Sequence, residues 1–166
     1  MVRKSDKNYW GSNFPDRKNS FDDSAEFRKL KNLIKDEYKE SEGYDLRRHP
    51  YGKTGPDAIL FKKNGKPYIH FAFERRGFKS WRTGRFRFKT LHIPAEKDYL
   101  MEMAKKDDAH FISWHFCFDL TRAYYATPKV IKESPIVPIK CETYDGYSWQ
   151  DHRDLPVNKL VCVEFP

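Results

Sequence analysis

The residues GPDAILFKKNGKPYIHFAFERR, at positions 55–76, carry the strongest structural signal in the chain. Two runs of apolar and aromatic residues, 57–61 and 68–76, flank Lys63-Asn64-Gly65-Lys66. Asn-Gly between two such runs is typical of a tight turn in a β-hairpin. This stretch therefore predicts two antiparallel strands joined by that turn.

The predicted hairpin brings two acidic residues together. Because the turn is centred on residues 63–66, Asp57 and Glu74 are expected to lie roughly opposite each other on the two strands. Adjacent carboxylates repel each other, and a divalent cation relieves the repulsion; Mg²⁺ prefers one or two carboxylates together with waters and phosphate oxygens. Such an ion polarises a phosphate and lowers the pKa of a bound water. The pair predicts a Mg²⁺ (or Mn²⁺) site suited to phosphodiester hydrolysis.

Side-chain alternation places Glu74 and Arg76 on the same face of the second strand. The Arg76 cation is expected beside Glu74, where it can stabilise charge on a phosphoryl group, although it stays protonated and cannot act as a base. Structural alternatives remain open for each residue. Asp57 could belong to a turn after Gly-Pro, and Glu74 and Arg76 could form ordinary ion pairs.

Patterns on either side of the hairpin predict the remaining elements. Apolar positions at helical spacing from Phe27 to Tyr38 predict a helix that is capped at residues 22–24 and ends near Gly43. The other predicted elements are strands at 44–48, 88–93 and 109–118, a helix at 95–106, a strand or helical turn at 120–125, a short helix at 127–133, and strands at 136–141 and 160–165 around a turn-rich insert. This order predicts a single α/β domain over residues 21–166, with a central mixed β-sheet flanked by helices, after a basic and extended N-terminal arm at residues 1–20.

Charge and composition indicate the class of partner and the compartment. The net charge is +8 and the pI is about 9.3, which favours binding to nucleic acid. The three cysteines form no Cys-x-x-Cys pair, so a disulfide framework or zinc ribbon is not indicated and a reducing, cytoplasmic setting is expected. No run approaches the about 20 apolar residues of a membrane span, and the N-terminus lacks the apolar core of a secretory signal.

A basic and aromatic segment follows directly after Glu74. Cations neutralise phosphates and aromatic rings stack on unpaired bases, so this segment predicts a nucleic-acid contact. The candidate contact residues are Arg75, Lys79, Trp81, Arg82, Arg85, Arg87, Lys89 and Lys97. The alternative is a solvated loop whose aromatic residues, Trp81 among them, fold back into the core.

Pro56-Asp57, sixteen intervening residues and Glu74-x-Arg76 resemble the PD-(D/E)xK nuclease superfamily, which includes restriction endonucleases and Holliday junction resolvases. The resemblance implies an α-β-β-β-α-β core and a Mg²⁺-dependent endonuclease that acts on DNA rather than RNA, with junction resolution or nicking among the activities it suggests. It also implies that Asp57, Glu74 and Glu26 on the first helix bind the metal. Residues 90–97 resemble a stretch of phage and bacterial relatives, which implies a phage or bacterial source, and a homodimer would suit a two-strand junction.

One position departs from the superfamily pattern, because Arg76 stands where the motif has lysine. The lysine role is left to Arg76, Lys79 or Lys97, and the candidate catalytic set is Asp57, Glu74, Arg76 and Lys79. The departure supports an alternative, a catalytically inactive protein with the nuclease scaffold that binds nucleic acid or a protein partner. Charge and aromatic content alone would also suit a basic RNA-binding or ribosome-associated protein.

Overall fold

The computed structural model describes residues 25–48, 55–143 and 145–165. Within them the helices are α1 (Ala25–Ile34), α2 (Tyr99–Lys106) and α3 (Pro128–Glu133). The strands are β1 (Asp45–Arg48), β2 (Ala58–Phe61), β3 (Pro67–Arg75), β4 (Thr90–Pro94), β5 (His110–Phe116), β6 (Arg122–Ala126), β7 (Ile136–Thr143), β8 (Gly146–Pro156) and β9 (Val161–Glu164). Short 3₁₀ turns occupy Glu40–Glu42, Ala95–Asp98 and Val157–Lys159. The basic arm at residues 1–20 and the helix cap at 22–24 lie outside the described residues.

The strands form a six-stranded sheet and a three-stranded sheet. The larger sheet has the order β1-β2-β3-β5-β6-β9, with β3 and β5 parallel and the other neighbours antiparallel, so the predicted mixed α/β chain with a mixed sheet is confirmed. A parallel pair needs a long crossover, and here the crossover contains β4 and α2. The smaller sheet is antiparallel, in the order β4-β8-β7. No helix in the described ranges is long and apolar enough to cross a membrane.

The hairpin formed by β2 and β3 has the predicted turn. Gly65 adopts a φ of 77°, a left-handed conformation that glycine reaches without a steric cost. Ala58 pairs with Phe71, and the backbone N–H of Asp57 donates to the oxygen of Phe71 over 2.8 Å. When this register is continued by one residue, Asp57 lies opposite Ala72, two positions before Glu74. The two acids are therefore diagonal neighbours rather than directly opposite.

Apolar residues cover both faces of the larger sheet. On one face Phe27 of α1 packs in a cluster with Ile69 and Phe71 of β3. On the other face Leu100 of α2 belongs to a second cluster, against which Ala72 packs. Because side chains alternate along a strand, odd-numbered residues of β3 point to the α1 face and even-numbered ones to the α2 face.

Helix α1 ends at Ile34, earlier than the position near Gly43 that the apolar spacing predicts. Tyr38 donates its backbone N–H to the oxygen of Ile34 over 2.8 Å, and its ring packs edge-on against Tyr44 at 5.3 Å. The residues after Ile34 include several acids, which are unfavourable at the negative C-terminal end of a helix dipole. Gly43, with a φ of 92°, instead ends the 3₁₀ turn at Glu40–Glu42.

Strand β8 occupies a region where the sequence predicts only a turn-rich insert. Polar and charged residues fill most of its centre, and alternation of buried side chains is weak there. The strand is held by pairing on both sides, with β4 along one edge and β7 along the other. Partners distant in sequence therefore stabilise it, and its own residues give little local indication of it.

Candidate active site

Asp57 lies immediately before β2, at the end of the sheet where β3 finishes. One of its carboxylate oxygens, Oδ2, accepts a hydrogen bond from the backbone N–H of Phe73 over 2.8 Å. Burial raises the pKa of Asp57, although the Phe73 bond and the positive charges of Arg48 and Lys97 oppose the shift; the nearby Glu74 carboxylate adds to it. Burial and the neighbouring Glu74 carboxylate both disfavour the charged form of Asp57, and a cation bound between the two acids would offset this effect.

Glu74 points to the α2 face, as Asp57 does by continuation of the β2 alternation. Its side chain is 43% exposed, and Oε2 lies 3.9 Å from Nη2 of Arg76. The described residues contain no group of three or more His, Cys, Asp or Glu side chains that could enclose a metal. A pair made of the buried Asp57 carboxylate and the exposed Glu74 carboxylate fits Mg²⁺ or Mn²⁺, whose remaining ligands are waters and phosphate oxygens, better than a closed structural zinc site.

Arg76 is directed into the protein. Its Nη2 donates to the backbone oxygen of His92 over 2.8 Å and to Nδ1 of His115 over 3.1 Å, and its side chain is only 18% exposed. His115 is buried, and its Nε2 contacts Oγ of Ser113 at 2.9 Å. Burial lowers the pKa of His115 well below its ordinary value, and the charges of Arg76 and Lys97 add to the effect. A neutral imidazole with Nδ1 as acceptor therefore holds the Arg76 cation beside Glu74.

Lys97 and Tyr99 approach the two acids from the segment that leads into α2. The exposed Lys97 lies near enough for its charge to lower the pKa of both Asp57 and His115. Burial raises the pKa of Tyr99, and the Asp57 and Glu96 carboxylates raise it further. The sequence does not predict Tyr99 as a site residue, because it occupies an ordinary apolar position of the predicted helix.

The Lys79 side chain is exposed, and the hydrogen bond found for this residue involves its backbone. Its carbonyl oxygen accepts a hydrogen bond from Nη2 of Arg87 over 3.4 Å. In the ranges that the structure describes, no contact joins its ammonium group to Asp57 or Glu74. Of the three cations considered for the lysine role, Lys97 and Arg76 lie at the two acids and Lys79 is not brought to them.

Glu26 is on the other face of the sheet. Its Oε1 lies 3.5 Å from Nη1 of Arg75, an odd-numbered residue of β3 that points to the α1 face. Glu74 points to the opposite face, so the structure does not bring Glu26 to the pair of acids. The metal-ligand role that the resemblance implies for Glu26 stays a prediction; the partner that the structure gives this side chain is Arg75.

The basic segment after β3 divides into buried and exposed side chains. Trp81 is 3% exposed, stacks on Tyr124 at 5.1 Å and donates its Nε1–H to the oxygen of Gly84 over 2.9 Å. The ring is therefore part of the core, which is the alternative that the sequence leaves open for this residue, rather than exposed for contact with nucleic acid. The candidate contact residues that are exposed to solvent are Arg75, Lys79, Arg82, Arg85, Arg87, Lys89 and Lys97.

His70, which shares the α2 face with Glu74, belongs to the interior. It is 1% exposed, and Nε2 lies 2.8 Å from Oδ2 of Asp107, just after α2. Burial lowers the pKa of His70, while the bond to Asp107 and its charge oppose that shift. This pair joins β3 to the end of α2 and supports the helix that follows Lys97.

The candidate site thus consists of two carboxylates, an inward-held arginine and an exposed lysine at one end of the mixed sheet. The basic loop leaves β3 directly after these residues. No protein-family model matches this chain, and no curated protein sequence matches it significantly.

Proposed function

We propose that the protein is a metal-dependent nuclease that hydrolyses phosphodiester bonds in DNA. The observation that carries the proposal is the relation between Asp57 and Glu74. One carboxyl is partly buried with a raised pKa, the second adds to that shift, and both lie at an open end of the sheet. A divalent cation with free coordination positions satisfies such a pair and at the same time binds a phosphate.

The order of the elements supports a restriction-endonuclease-like core. Helix α1 precedes the antiparallel strands β1, β2 and β3, and α2 leads into β5, which is parallel to β3. With β4 left out, because it belongs to the smaller sheet, this order is similar to the α-β-β-β-α-β order of the PD-(D/E)xK superfamily. The two acids occupy its central hairpin, and the preference for DNA over RNA rests on this resemblance.

The chain's own residues have distinct roles in the proposed reaction. Asp57 and Glu74 would hold the metal, which when bound polarises the phosphate and lowers the pKa of a water. Lys97 takes the role of the motif lysine, because its exposed ammonium group can reach a phosphate and offset charge that develops there. Arg76 is a fixed positive charge beside Glu74, held by His92 and His115.

The proposal is tested with labelled duplex, single-stranded and branched DNA in Mg²⁺, Mn²⁺ or EDTA. The near-isosteric variants Asp57→Asn and Glu74→Gln should lose cleavage by more than the about 10- to 100-fold typical of residues that only support a metal ligand. Asp45→Asn, an acid at the far end of β1 that pairs with Arg47, is the matched control and should retain activity. Metal-dependent cleavage that survives in both site variants would contradict the proposal.

Lys97→Met tests the assignment of the lysine role. Cleavage should fall while DNA binding in EDTA changes little, because a single exposed cation supplies a small part of the total phosphate contact. Lys105→Met, near the end of α2, is the control and should change neither property. Equal loss of cleavage in both variants would show a general charge effect and remove the role from Lys97.

A second candidate function is a nucleic-acid-binding protein that has lost catalysis. The inward position of Arg76 favours it, because a guanidinium group that bonds to His92 and His115 is less available to a phosphate. Salt-sensitive DNA binding in EDTA, with no cleavage of any substrate in Mg²⁺ or Mn²⁺, is the result expected from this candidate. The same result excludes the nuclease.

A further inference from the structure

Two exposed aromatic rings lie together at the end of the sheet that carries the candidate active site. Phe78, in the turn after β3, is 50% exposed, and Phe118, just after β5, is 36% exposed. Their ring centroids are 5.4 Å apart in an edge-to-face arrangement. Because β3 and β5 are parallel neighbours, the residues that follow the two strands, Phe78 and Phe118 among them, emerge at the same end of the sheet.

An arginine lies over each ring. The guanidinium carbon of Arg75 is 4.8 Å from the centroid of Phe118, and that of Arg82 is 4.8 Å from the centroid of Phe78. Arg75 also donates its Nε–H to the oxygen of Phe118 over 2.7 Å. These four residues, Arg75, Phe118, Phe78 and Arg82, are called the Arg–Phe platform below.

Hydrogen bonds hold the platform in place. The backbone N–H of Phe118 donates to the oxygen of Trp81 over 2.8 Å, and that of Asp119 donates to the oxygen of Arg82 over 2.9 Å. Glu26 and Asp119 orient the two arginines, at 3.5 Å from Arg75 and 3.8 Å from Arg82. The rings are thus presented to solvent by an ordered backbone.

The same loop buries other aromatic rings. Trp81 and Phe86 lie in the core and are 3% and 8% exposed, whereas the Phe78 side chain, beside Phe118, is half exposed to solvent. Exposed large apolar side chains that cluster are a mark of a binding surface. The segment 75–89 carries seven cations and no acid, so a polyanion with flat apolar faces matches this surface best. Unpaired nucleotides have both properties, whereas the bases of a continuous duplex are already stacked on each other.

The platform is close to the pair of acids. Arg75 follows Glu74 in sequence, and the backbone from Glu74 to Phe78 spans at most about 14 Å, since each residue adds at most about 3.6 Å. This distance corresponds to about four stacked nucleotides at 3.4 Å each. A strand bound at Glu74 therefore needs to continue for only a few nucleotides across the sheet end to reach the rings.

We propose that the Arg–Phe platform stacks on unpaired bases, so that the substrate is single-stranded DNA or the single-stranded part of a branched DNA. The position of these bases, next to the cleaved bond, rests on the proposed nuclease function. The stacking itself does not depend on it, because the platform contains neither of the proposed metal ligands.

Binding in EDTA tests the stacking without catalysis. Fluorescence anisotropy would compare a labelled single-stranded oligonucleotide with a duplex of equal phosphate number, for the full chain and for the variant Phe78→Leu/Phe118→Leu. Leucine keeps an apolar side chain and the charges while removing the aromatic faces, so single-strand affinity should fall about tenfold or more and duplex affinity should stay the same. Trp149→Leu removes a remote ring that is 68% exposed and should change neither affinity.

Unchanged single-strand affinity in the double variant would overturn the inference, as would equal losses for single strand and duplex. If the double variant fails to fold, a competition experiment with the unchanged chain decides the question. Unlabelled duplex and unlabelled single-stranded DNA of equal charge would each compete with the labelled strand, and equal displacement by the two would contradict stacking. Loss of single-strand affinity in the double variant, with no cleavage by the unchanged chain, would leave the platform standing and exclude the nuclease. Metal-dependent cleavage by the unchanged chain, with unaltered single-strand binding in the double variant, would support the nuclease and exclude the stacking platform.

Discussion

Nη2 of Arg76 and Nδ1 of the buried His115 are 3.1 Å apart, and the same Arg76 nitrogen donates to the backbone oxygen of His92 over 2.8 Å. Arg76 stands where the PD-(D/E)xK pattern has lysine, yet its guanidinium group links β3 to β4 and β5. Nη2 carries two N–H groups that are fixed in the guanidinium plane, and it bonds to two acceptors on different strands. The presence of arginine at position 76 therefore has a structural reason.

Replacing Arg76 by lysine tests this interpretation. An ammonium group keeps the charge, but the lysine side chain is one atom shorter and its donors are not coplanar. Arg76→Lys should therefore leave one acceptor unsatisfied, at a cost of about 1–3 kcal/mol. Thermal unfolding should shift downward by about 2–4 °C for each kcal/mol. Arg82→Lys, whose side chain is 64% exposed, is the control and should unfold at the original temperature. An unchanged unfolding temperature for Arg76→Lys would mean that lysine satisfies both acceptors.

Asp57→Asn should stabilise the metal-free protein at neutral pH. Burial raises the pKa of Asp57 above its ordinary 3.8, so between these two values the folded protein holds a proton that the unfolded chain has lost. Stability therefore falls as pH rises through this window, and the charged form remains unfavourable above it. Asparagine removes the charge and still accepts the Phe73 bond. Unfolding in EDTA should show a higher temperature for the variant at neutral pH and no difference below about pH 3.8, the unfolded value.

Glu26→Gln should leave metal binding unchanged, whereas Glu74→Gln should weaken it. A ligand that binds only the folded state raises the unfolding temperature, and the size of the rise reports its affinity. Titration of Mg²⁺ or Mn²⁺ against unfolding temperature should therefore give the same rise for Glu26→Gln as for the unchanged chain. A reduced rise in Glu26→Gln would show that the acid reaches the metal despite its pairing with Arg75.

The hairpin was the most predictable part of the fold because its signals are local. Asn64-Gly65 determines the turn, and the register beyond it, which shifts by one residue between Leu60 and Phe61, brings Asp57 within two positions of Glu74. Strand β8 depends on its pairing with β4 and β7. Its own polar residues lack the alternation of apolar side chains that would predict a strand.

The parts of the candidate site that depend on local sequence were predictable, and those that depend on tertiary packing were not. Alternation along β3 assigns Glu74 to one face, but nothing in the local pattern indicates which face α1 covers, and this decides where Glu26 lies. Trp81 and Phe78 are three residues apart in one basic loop, and tertiary packing, including that against Tyr124, makes the first a core residue. The nearness of Lys97 and Tyr99 to Asp57 depends on the crossover through β4, which sequence spacing does not describe.

Acid should weaken the fold through its buried histidines. Burial lowers the pKa of His70 and, more strongly, of His115, so the unfolded chain takes up protons that the folded protein does not. Stability is fully present above the unfolded value of about 6.5 and falls below it, by up to about 1.4 kcal/mol per pH unit for each group, until the folded pKa is reached. Denaturant unfolding should therefore give a shallower pH dependence below about 6.5 for His115→Gln than for the unchanged chain, while the exposed His110→Gln keeps the original slope. An identical slope in His115→Gln would mean that His115 takes up its proton in the folded state as well.

Trp81→Phe should lower stability and leave DNA affinity unchanged. Phenylalanine is smaller and lacks the N–H that bonds to the Gly84 oxygen, so the variant loses packing on Tyr124 and the hydrogen bond to a half-buried acceptor. Anisotropy with single-stranded DNA in EDTA should give the original affinity, because the ring is already enclosed by protein. Trp149→Phe, at an exposed position of β8, should retain the original stability. Weaker DNA binding by Trp81→Phe without a lower unfolding temperature would mean that the ring leaves the core to meet a base.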